Sequence, residues 1–297
     1  MIAFYAILAL TLTFFYLQRY VMTAQSVLRF ITDSLSEDLG RGDLYELCTP
    51  TKNAKAYILA KEEGIFSGEV YLRALIEYFN LTLIDSYKDS ESFEKGAYLA
   101  KIEGDYIKIL QVERVLLNIL AHSSGIATLT HRYIEAIKDT SVKLLDTRKT
   151  RPLLRELEKY SVRNGGAHNH RFGLDTMLML KDTHLAHIGD LKEVISTAME
   201  RLPFMCPIEV ECENLDRAKE AINAGVDVIM CDNMNIAQIQ EVVAYRNANA
   251  PHITLEASGN ISLSNIREYA LSGVEAISIG SLIHQAQWLD LSLKIES

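Results

Sequence analysis

A β/α barrel joined to a second α/β unit is the fold that the sequence predicts, and three observations carry that prediction. Six short apolar runs recur at intervals of roughly 20 to 35 residues, the spacing of parallel strands with helical crossovers. They are Val142 to Lys149, Met177 to Asp182, Ile208 to Glu211, Val226 to Asn233, Ile253 to Asn260 and Ala276 to Ser281. Each run closes on polar or glycine residues, where a barrel carries its chemistry. Finally, the 297 residues exceed one ordinary domain, and those upstream of the runs mix strands with helices.

Taken in order, Ile2 to Leu17 is apolar apart from Thr11 and Thr13. It falls short of the roughly 20 residues of a membrane span and lacks the basic start and cleavage site of a signal peptide. Three readings compete: a single-span anchor, a packed helix, or an extension upstream of a start at Met22. We adopt the third, with the anchor kept open.

Val27 to Leu35 then reads as an amphipathic helix, and Glu37 to Asp43 as an acidic, glycine-rich turn. Strands are expected at Ala54 to Ala60, Leu81 to Ser86, Ala97 to Ile102 and Tyr106 to Ile109, with a helix over Glu69 to Phe79. Between Gln111 and Lys138 the pattern predicts two helices split at Ser123-Ser124-Gly125. Arg114 would then lie near a helix N-terminus, where a cation is disfavoured. Leu153 to Val162 reads as a helix with Pro152 in its first turn. Gly225 and Gly273 close two helix ends ahead of buried strands.

Composition narrows the function. A net charge of -9 argues against a general nucleic-acid binder, so any anion site is local. Cys48, Cys206, Cys212 and Cys231 lack zinc spacing and are too sparse for a disulfide scaffold, which fits reduced thiols in a cytoplasmic protein.

Arg148, Lys149, His170, Arg171 and Lys181 all fall at or beyond strand ends. Converging cations without an anionic partner repel one another, so an anion should bind among them. Glu211 and Asp232 end the next strands, with Glu209 on the face of Glu211; they are either counter-ions or holders of ribose hydroxyls and Mg²⁺. Ser258-Gly259-Asn260 and Gly280-Ser281 form either tight turns or a phosphate cradle. A metal at His168 and His170, or at His184 and His187, has no third ligand in view. No serine or cysteine sits in a nucleophile elbow.

These residues fall in motifs that resemble the quinolinate phosphoribosyltransferases, also called nicotinate-nucleotide pyrophosphorylases. The likeness runs from about Thr23 to the end. It includes Glu37 to Asp43, Glu113 to Asn118, Ser124 to Thr128, Asp146 to Thr150, Asn169 to Leu174, Lys181 to His184, Glu209 to Glu211, Cys231 to Asn233 and Glu256 to Asn260.

The resemblance implies an N-terminal α/β sandwich-like domain over 23–125, rejoined by about 285–297, and an open, incomplete β/α (TIM-like) barrel over 126–284. Residues 1–22 stand outside both. It further implies a homodimer or higher multiple in which Arg114 completes the partner's site. Arg114, Thr147, Arg148, His170, Arg171 and Lys181 would take quinolinate. Lys149, Glu211, Asp232, Ser258, Gly259, Asn260, Ile279, Gly280 and Ser281 would take phosphoribosyl pyrophosphate, with Mg²⁺ near Glu211 and Asp232. Lys149, Lys181, Glu211 and Asp232 would serve the chemistry. The implied products are nicotinate mononucleotide, pyrophosphate and carbon dioxide.

The chain departs from the family pattern at Leu153, where glycine is common, at Asn164 and Ala167 in the glycine-rich loop, and at Ser281, where alanine is frequent. None of these removes a charge, so they bear on loop geometry. Two other functions stay in view. One is a related transferase acting on nicotinate or another anionic acceptor, separable by competing acceptors. The other is a non-catalytic binder of a phosphorylated metabolite, which the presence of Lys181, Glu211 and Asp232 disfavours.

Overall fold

Ile58 and Leu293 face one another across an antiparallel pair that joins the N-terminal part of the chain to its C-terminal segment. In the computed structural model, which describes residues 22–185 and 190–296, the chain divides into two compact units. One comprises residues up to 131, 151–166 and those from 285; the other comprises 132–150 and 167–284. The apolar stretch Ile2 to Leu17 and His187 lie outside the described residues. Among the described residues no helix is long and apolar enough to cross a membrane.

The first unit opens with α1 (Ala24–Leu39), started by a capping box in which Thr23 and Ser26 satisfy each other's backbone amides. Val27, Ile31 and Leu35 recur one turn apart and are its buried stripe. The main sheet contains β1 (Asn53–Ala60), β3 (Thr82–Ser86), β5 (Tyr98–Asp105) and β12 (Leu291–Ile295), in the antiparallel order β12-β1-β5-β3. A small pair, β2 (Gly64–Ile65) with β4 (Ser92–Phe93), stands apart. Helix α2 (Glu69–Tyr78) and the long α3 (Tyr106–Ile137) supply Leu72, Leu75, Leu116 and Leu120 to a core with Ile58, Leu99 and Ile102. Burying each such side chain contributes about 1.5–3 kcal/mol.

Helix α3 corrects three expectations. Tyr106 to Ile109 is its first turn, not a strand, because the Asp105 carboxylate accepts the Ile107 amide at 2.9 Å and starts a helix there. The helix also runs unbroken through Ser123-Ser124-Gly125. Its serines are spent on buried hydroxyl contacts, and a Cβ on Gly125 would meet the Gln287 carbonyl oxygen at 2.0 Å. Glycine here serves close approach and not a break. Arg114 accordingly sits mid-helix and exposed, away from any N-terminus.

A fourth correction concerns Pro152, which precedes α4 (Arg155–Asn164) instead of opening it. The intervening Leu153 takes φ +66°, and Leu154 is the N-cap.

In the second unit the six apolar runs are strands: β6 (Lys143–Leu145), β7 (Leu178–Leu180), β8 (Ile208–Cys212), β9 (Val228–Asp232), β10 (Thr254–Ser258) and β11 (Ala276–Ser278). They form one parallel sheet in the order β6-β11-β10-β9-β8-β7. The terminal strands β6 and β7 do not pair, which leaves the barrel open; Leu145 makes a single parallel bridge to His168. Between strands lie α5 (Asp182–Leu185), α6 (Leu191–Arg201), α7 (Leu215–Ala224), α8 (Ile236–Asn249) and α9 (Ile266–Ala270), with α10 (Ser281–His284) after β11. Gly225 caps α7 in the left-handed region, φ +81°.

Side-chain alternation sorts the strands by face. The register places Val210, Cys212, Ile229, Cys231, Leu255, Ala257 and Ile277 on one side, all fully buried. Glu209, Glu211, Met230, Asp232, Glu256, Ser258 and Ser278 share the other.

Candidate active site

The polar side of that sheet lines a cavity of about 870 Å³, whose lining residues all belong to the second unit. This volume lies within the usual range for small-molecule sites. Thr147, Arg148 and Lys149 reach it from the end of β6, His170 and Arg171 from the loop between α4 and β7, and Lys181 from the end of β7. Opposite them stand Glu211, Asp232, Ser258, Gly259 and Asn260. The cations named from the sequence therefore meet in one space.

Local structure explains each placement. The loop after β6 is tied down by Asp146, fully buried, whose Oδ1 accepts the His170 amide at 2.9 Å and whose Oδ2 accepts Asn169 Nδ2 at 2.6 Å. His168 contributes its backbone, donating to the Leu144 carbonyl and accepting the Asp146 amide. The Thr147 hydroxyl accepts the Lys149 amide at 3.0 Å and shapes the turn between them. His184 Nδ1 accepts the Lys181 amide at 3.0 Å, and Lys181 Nζ donates to Glu211 Oε2 at 2.5 Å.

On the far side two loops interlock. A Cβ on Gly259 would fall 2.3 Å from Asn233 Oδ1, and its φ of +88° excludes most side chains. The same Asn233 oxygen accepts Asn260 Nδ2 at 2.9 Å, and the Asn233 amide donates to the Ser258 carbonyl at 2.9 Å. Gly280 does not line the cavity, but a Cβ there would meet Lys149 Cδ at 2.8 Å and Thr147 Oγ1 at 3.3 Å. Ile279 is buried, its amide extending the ladder to Leu145, and Ser281 begins α10. Neither lines the cavity. Arg114 belongs to the first unit and does not line it either.

Charge is out of balance at the rim. Burial and the neighbouring Arg148 both lower the pKa of Arg171, and the buried Arg148 Nε has no hydrogen-bond partner. Burial and repulsion from Glu211 raise that of Asp232, against the pull of Lys181. An anion beside the guanidinium groups and a cation beside the carboxylates would relieve both strains.

The sequence did not disclose the floor of the cavity. His170 Nε2 lies 3.2 Å from Glu209 Oε2 and 3.3 Å from Glu256 Oε2, and both carboxylates are buried. Burial works against charge on the ring, but the two carboxylates outweigh it and push its pKa up to about 10. Nδ1, however, accepts the Arg171 amide at 2.7 Å, so in this conformation the ring proton sits on Nε2. A further proton on the cluster is then favoured at Glu209. Burial foremost, and then repulsion from Glu256, raise the pKa of Glu209. A metal at His170 is thus not short of neighbouring ligands as the sequence suggested: its nitrogen and the two carboxylates lie within 4.8 Å of one another. Asn233 was also missed as a site residue; its signal was an asparagine directly after a strand-end aspartate, where a left-handed turn suits it.

Two family models cover nearly all of the chain outside its first 42 residues. The N-terminal domain of quinolinate phosphoribosyl transferase matches 43–124, and the C-terminal domain matches 126–294. The chain belongs to the quinolinate phosphoribosyltransferase family. A relative from Bacillus subtilis, called a probable carboxylating nicotinate-nucleotide pyrophosphorylase, is 40% identical over 263 residues, covering 87% of this chain and 90% of its own. A relative of the same name from Methanocaldococcus jannaschii is 38% identical, covering 92% and 99%. Among solved structures, NadC from Streptococcus pyogenes superposes with a TM-score of 0.86 at 37% identity, covering 93% of this chain and 99% of that one. Membership in this family accords with the mixed fold, in which an antiparallel sheet and an open parallel barrel occupy separate units.

Proposed function

We infer that the protein transfers the phosphoribosyl group of phosphoribosyl pyrophosphate to quinolinate with loss of carbon dioxide, forming nicotinate mononucleotide, a step of NAD biosynthesis. The observation that carries this reading is the gathering of Arg148, Lys149, Arg171 and Lys181 around one cavity opposite Glu211 and Asp232, in a chain of this family. The relatives' name describes the same reaction taken in reverse.

In this reading Arg148, Arg171 and Lys181 take the two acceptor carboxylates above His170, where the unpartnered Arg148 Nε offers a donor. Lys149 and the loop of Ser258, Gly259 and Asn260 take the sugar phosphate, with Gly280 leaving room for the Lys149 chain and Ser281 opening the adjoining helix. The pyridine nitrogen bonds to the ribose carbon as pyrophosphate leaves with its electron pair. Glu211 and Asp232 stand where positive charge develops on the sugar. Once the ring nitrogen is cationic, the ring carbon can release carbon dioxide, keep the electron pair and take up a proton. The protein's work is chiefly orientation and charge complementarity.

Glu211 and Asp232 are hard oxygen donors, and the raised pKa of Asp232 marks a place where a cation would be welcome, so the pair fits Mg²⁺. When bound with the donor's phosphates, the ion supplies positive charge against the departing pyrophosphate. Lys181 holds Glu211 and Asn233 holds Asp232 in position for that role. We place the protein in the cytoplasm, a reading that its unpaired thiols support.

Arg114 completes the acceptor site from a second copy of the chain. Arg114→Ala and Lys181→Ala should each lose most activity alone and regain it in part when mixed, since a hybrid dimer then holds one intact site; failure to recover refutes the donation across copies. The transfer itself is tested by pyrophosphate release, which should require quinolinate and Mg²⁺ together. Equal turnover with nicotinate would overturn the choice of acceptor.

A further inference from the structure

His170 sits at the floor of the cavity with its side chain 8% exposed, and both ring nitrogens face groups of the protein. Nε2 is held between Glu209 and Glu256, while Nδ1 accepts the Arg171 amide at 2.7 Å. With the amide at Nδ1, the ring has no N–H left to offer a ligand. Beyond the ring, Glu209 is also attracted by the Arg171 guanidinium. Neither oxygen of Glu209 makes an aligned hydrogen bond, nor does Oε1 of Glu256. Carboxylates buried in this way are strongly disfavoured unless the fold imposes them, and here the alternation of β8 and β10 aims both at the same ring.

The neighbour that depends on this ring is Arg171. Its guanidinium lies beside that of Arg148, an arrangement that like charges resist. Its guanidinium donates a long bond, 3.4 Å, to the Met177 carbonyl. The direction of Arg171 is therefore set from its backbone, and its backbone amide is bonded to His170.

Building on the assignment of this cavity to an acidic acceptor, we propose that Glu209 and Glu256 are positioning residues of the acceptor site: they clamp the His170 ring so that Nδ1 holds the Arg171 amide, and through it aim the Arg171 guanidinium into the cavity. His170 acts through Arg171, and the carboxylates act through His170. Glu211, two residues from Glu209 on the same face, faces Lys181 and lies outside this chain of contacts.

The test uses the full-length protein with Glu209→Gln, Glu256→Gln and the double variant, which keep side-chain volume. The KM for quinolinate should rise about tenfold in each single variant and further in the double, while the KM for phosphoribosyl pyrophosphate changes less than about twofold. Nitrogen-15 spectra of the histidines should show His170 Nδ1 as a bare acceptor in the unsubstituted protein and lose that signature in the double variant. An unchanged quinolinate KM, equal rises in both KM values, a protonated Nδ1, or one equivalent of tightly held zinc per chain by elemental analysis would each overturn the clamp. If the unsubstituted protein releases no pyrophosphate with quinolinate, the assigned reaction fails, and the spectra still judge the clamp. An active protein with indifferent variants removes the clamp alone.

Discussion

Each unit buries a polar cluster, and the two are built on opposite terms. In the first, Ser123 Oγ lies 2.7 Å from both Ser67 Oγ and Ser161 Oγ, Asn164 Nδ2 donates to Ser67 at 2.7 Å, and Glu158 receives His122, the Arg151 amide and the Arg151 guanidinium; of these groups only His122 Nδ1 lacks a partner. In the second, Arg148 Nε lacks a partner, Glu209 meets only the His170 ring without an aligned hydrogen bond, and the cluster borders an open cavity. A matched network lowers the energy of the fold, whereas unmatched charge beside open space is held ready for a ligand. Asn164, which the sequence reading set apart from the family pattern, belongs to the first cluster through its bond to Ser67.

The sharpest way to break this contrast is to remove charge from the second cluster. Arg171→Ala and Lys181→Ala should each lower kcat/KM for the acceptor by roughly a hundredfold to a thousandfold. Calorimetry should show weaker quinolinate binding in both, with a smaller change for phosphoribosyl pyrophosphate. Thermal unfolding should move little for Arg171→Ala, whose guanidinium repels that of Arg148, and more for Lys181→Ala, which loses its ion pair with Glu211. Unchanged quinolinate affinity in both variants would end the idea of a ligand-awaiting cluster.

The first cluster should behave in the opposite way. Glu158→Ala strips a fully buried acceptor from His122 and Arg151 and should destabilise the fold by about 3 kcal/mol, with little loss of turnover per folded molecule. Burial raises the proton affinity of Glu158, but hydrogen bonds from His122 and Arg151 outweigh that and hold its carboxyl below the ordinary value of 4.5. A lowered folded value means that the unfolded chain binds the proton more readily. The contribution of Glu158 is therefore complete above pH 4.5 and drains away as pH falls through the folded value. Denaturant melts of the variant and the unsubstituted protein should accordingly converge in acid. A gap that widens there would reverse the sign argued for this group.

How far the sequence disclosed each unit follows from the same distinction. The six barrel strands were legible because short apolar runs, each closed by polar or glycine residues, recur at intervals of roughly 20 to 35 residues, and the cations stood at the strand ends where a barrel exposes them. The clamp of His170 by Glu209 and Glu256 was not, since residues far apart in the chain meet only once the sheet has curled. In the first unit, Ser123-Ser124-Gly125 read as a turn because the partners that use those residues, Ser67, Ser161 and Gln287, are equally remote. Asp105 was the local cue that Tyr106 begins a helix, and the β-branched and aromatic residues after it concealed that cue.

A finer probe of the cavity is Gly280. The methyl group of Gly280→Ala would reach Lys149 Cδ at 2.8 Å, the movable part of a long side chain, and Thr147 Oγ1 at 3.3 Å. Lys149 must then shift, and the KM for phosphoribosyl pyrophosphate should rise on the order of tenfold, with acceptor binding nearly unaltered. A larger effect on quinolinate than on the donor would move Lys149 from the phosphate side to the acceptor side.

The smallest expected effect lies outside both clusters, at Leu153. Its side chain is 97% exposed, and its φ of +66° puts a leucine where the left-handed region costs an L-residue about 1 kcal/mol. Glycine would remove that strain but return about 0.4–1 kcal/mol by loosening the unfolded chain, so Leu153→Gly should leave stability nearly unchanged. Asparagine tolerates this conformation without that entropic penalty, and Leu153→Asn should stabilise the fold by about 0.5 kcal/mol. Denaturant melts distinguish the two substitutions. If both destabilise the protein, the exposed leucine makes a contact that offsets its backbone strain, and the turn before α4 would have to be counted with the matched parts of the molecule.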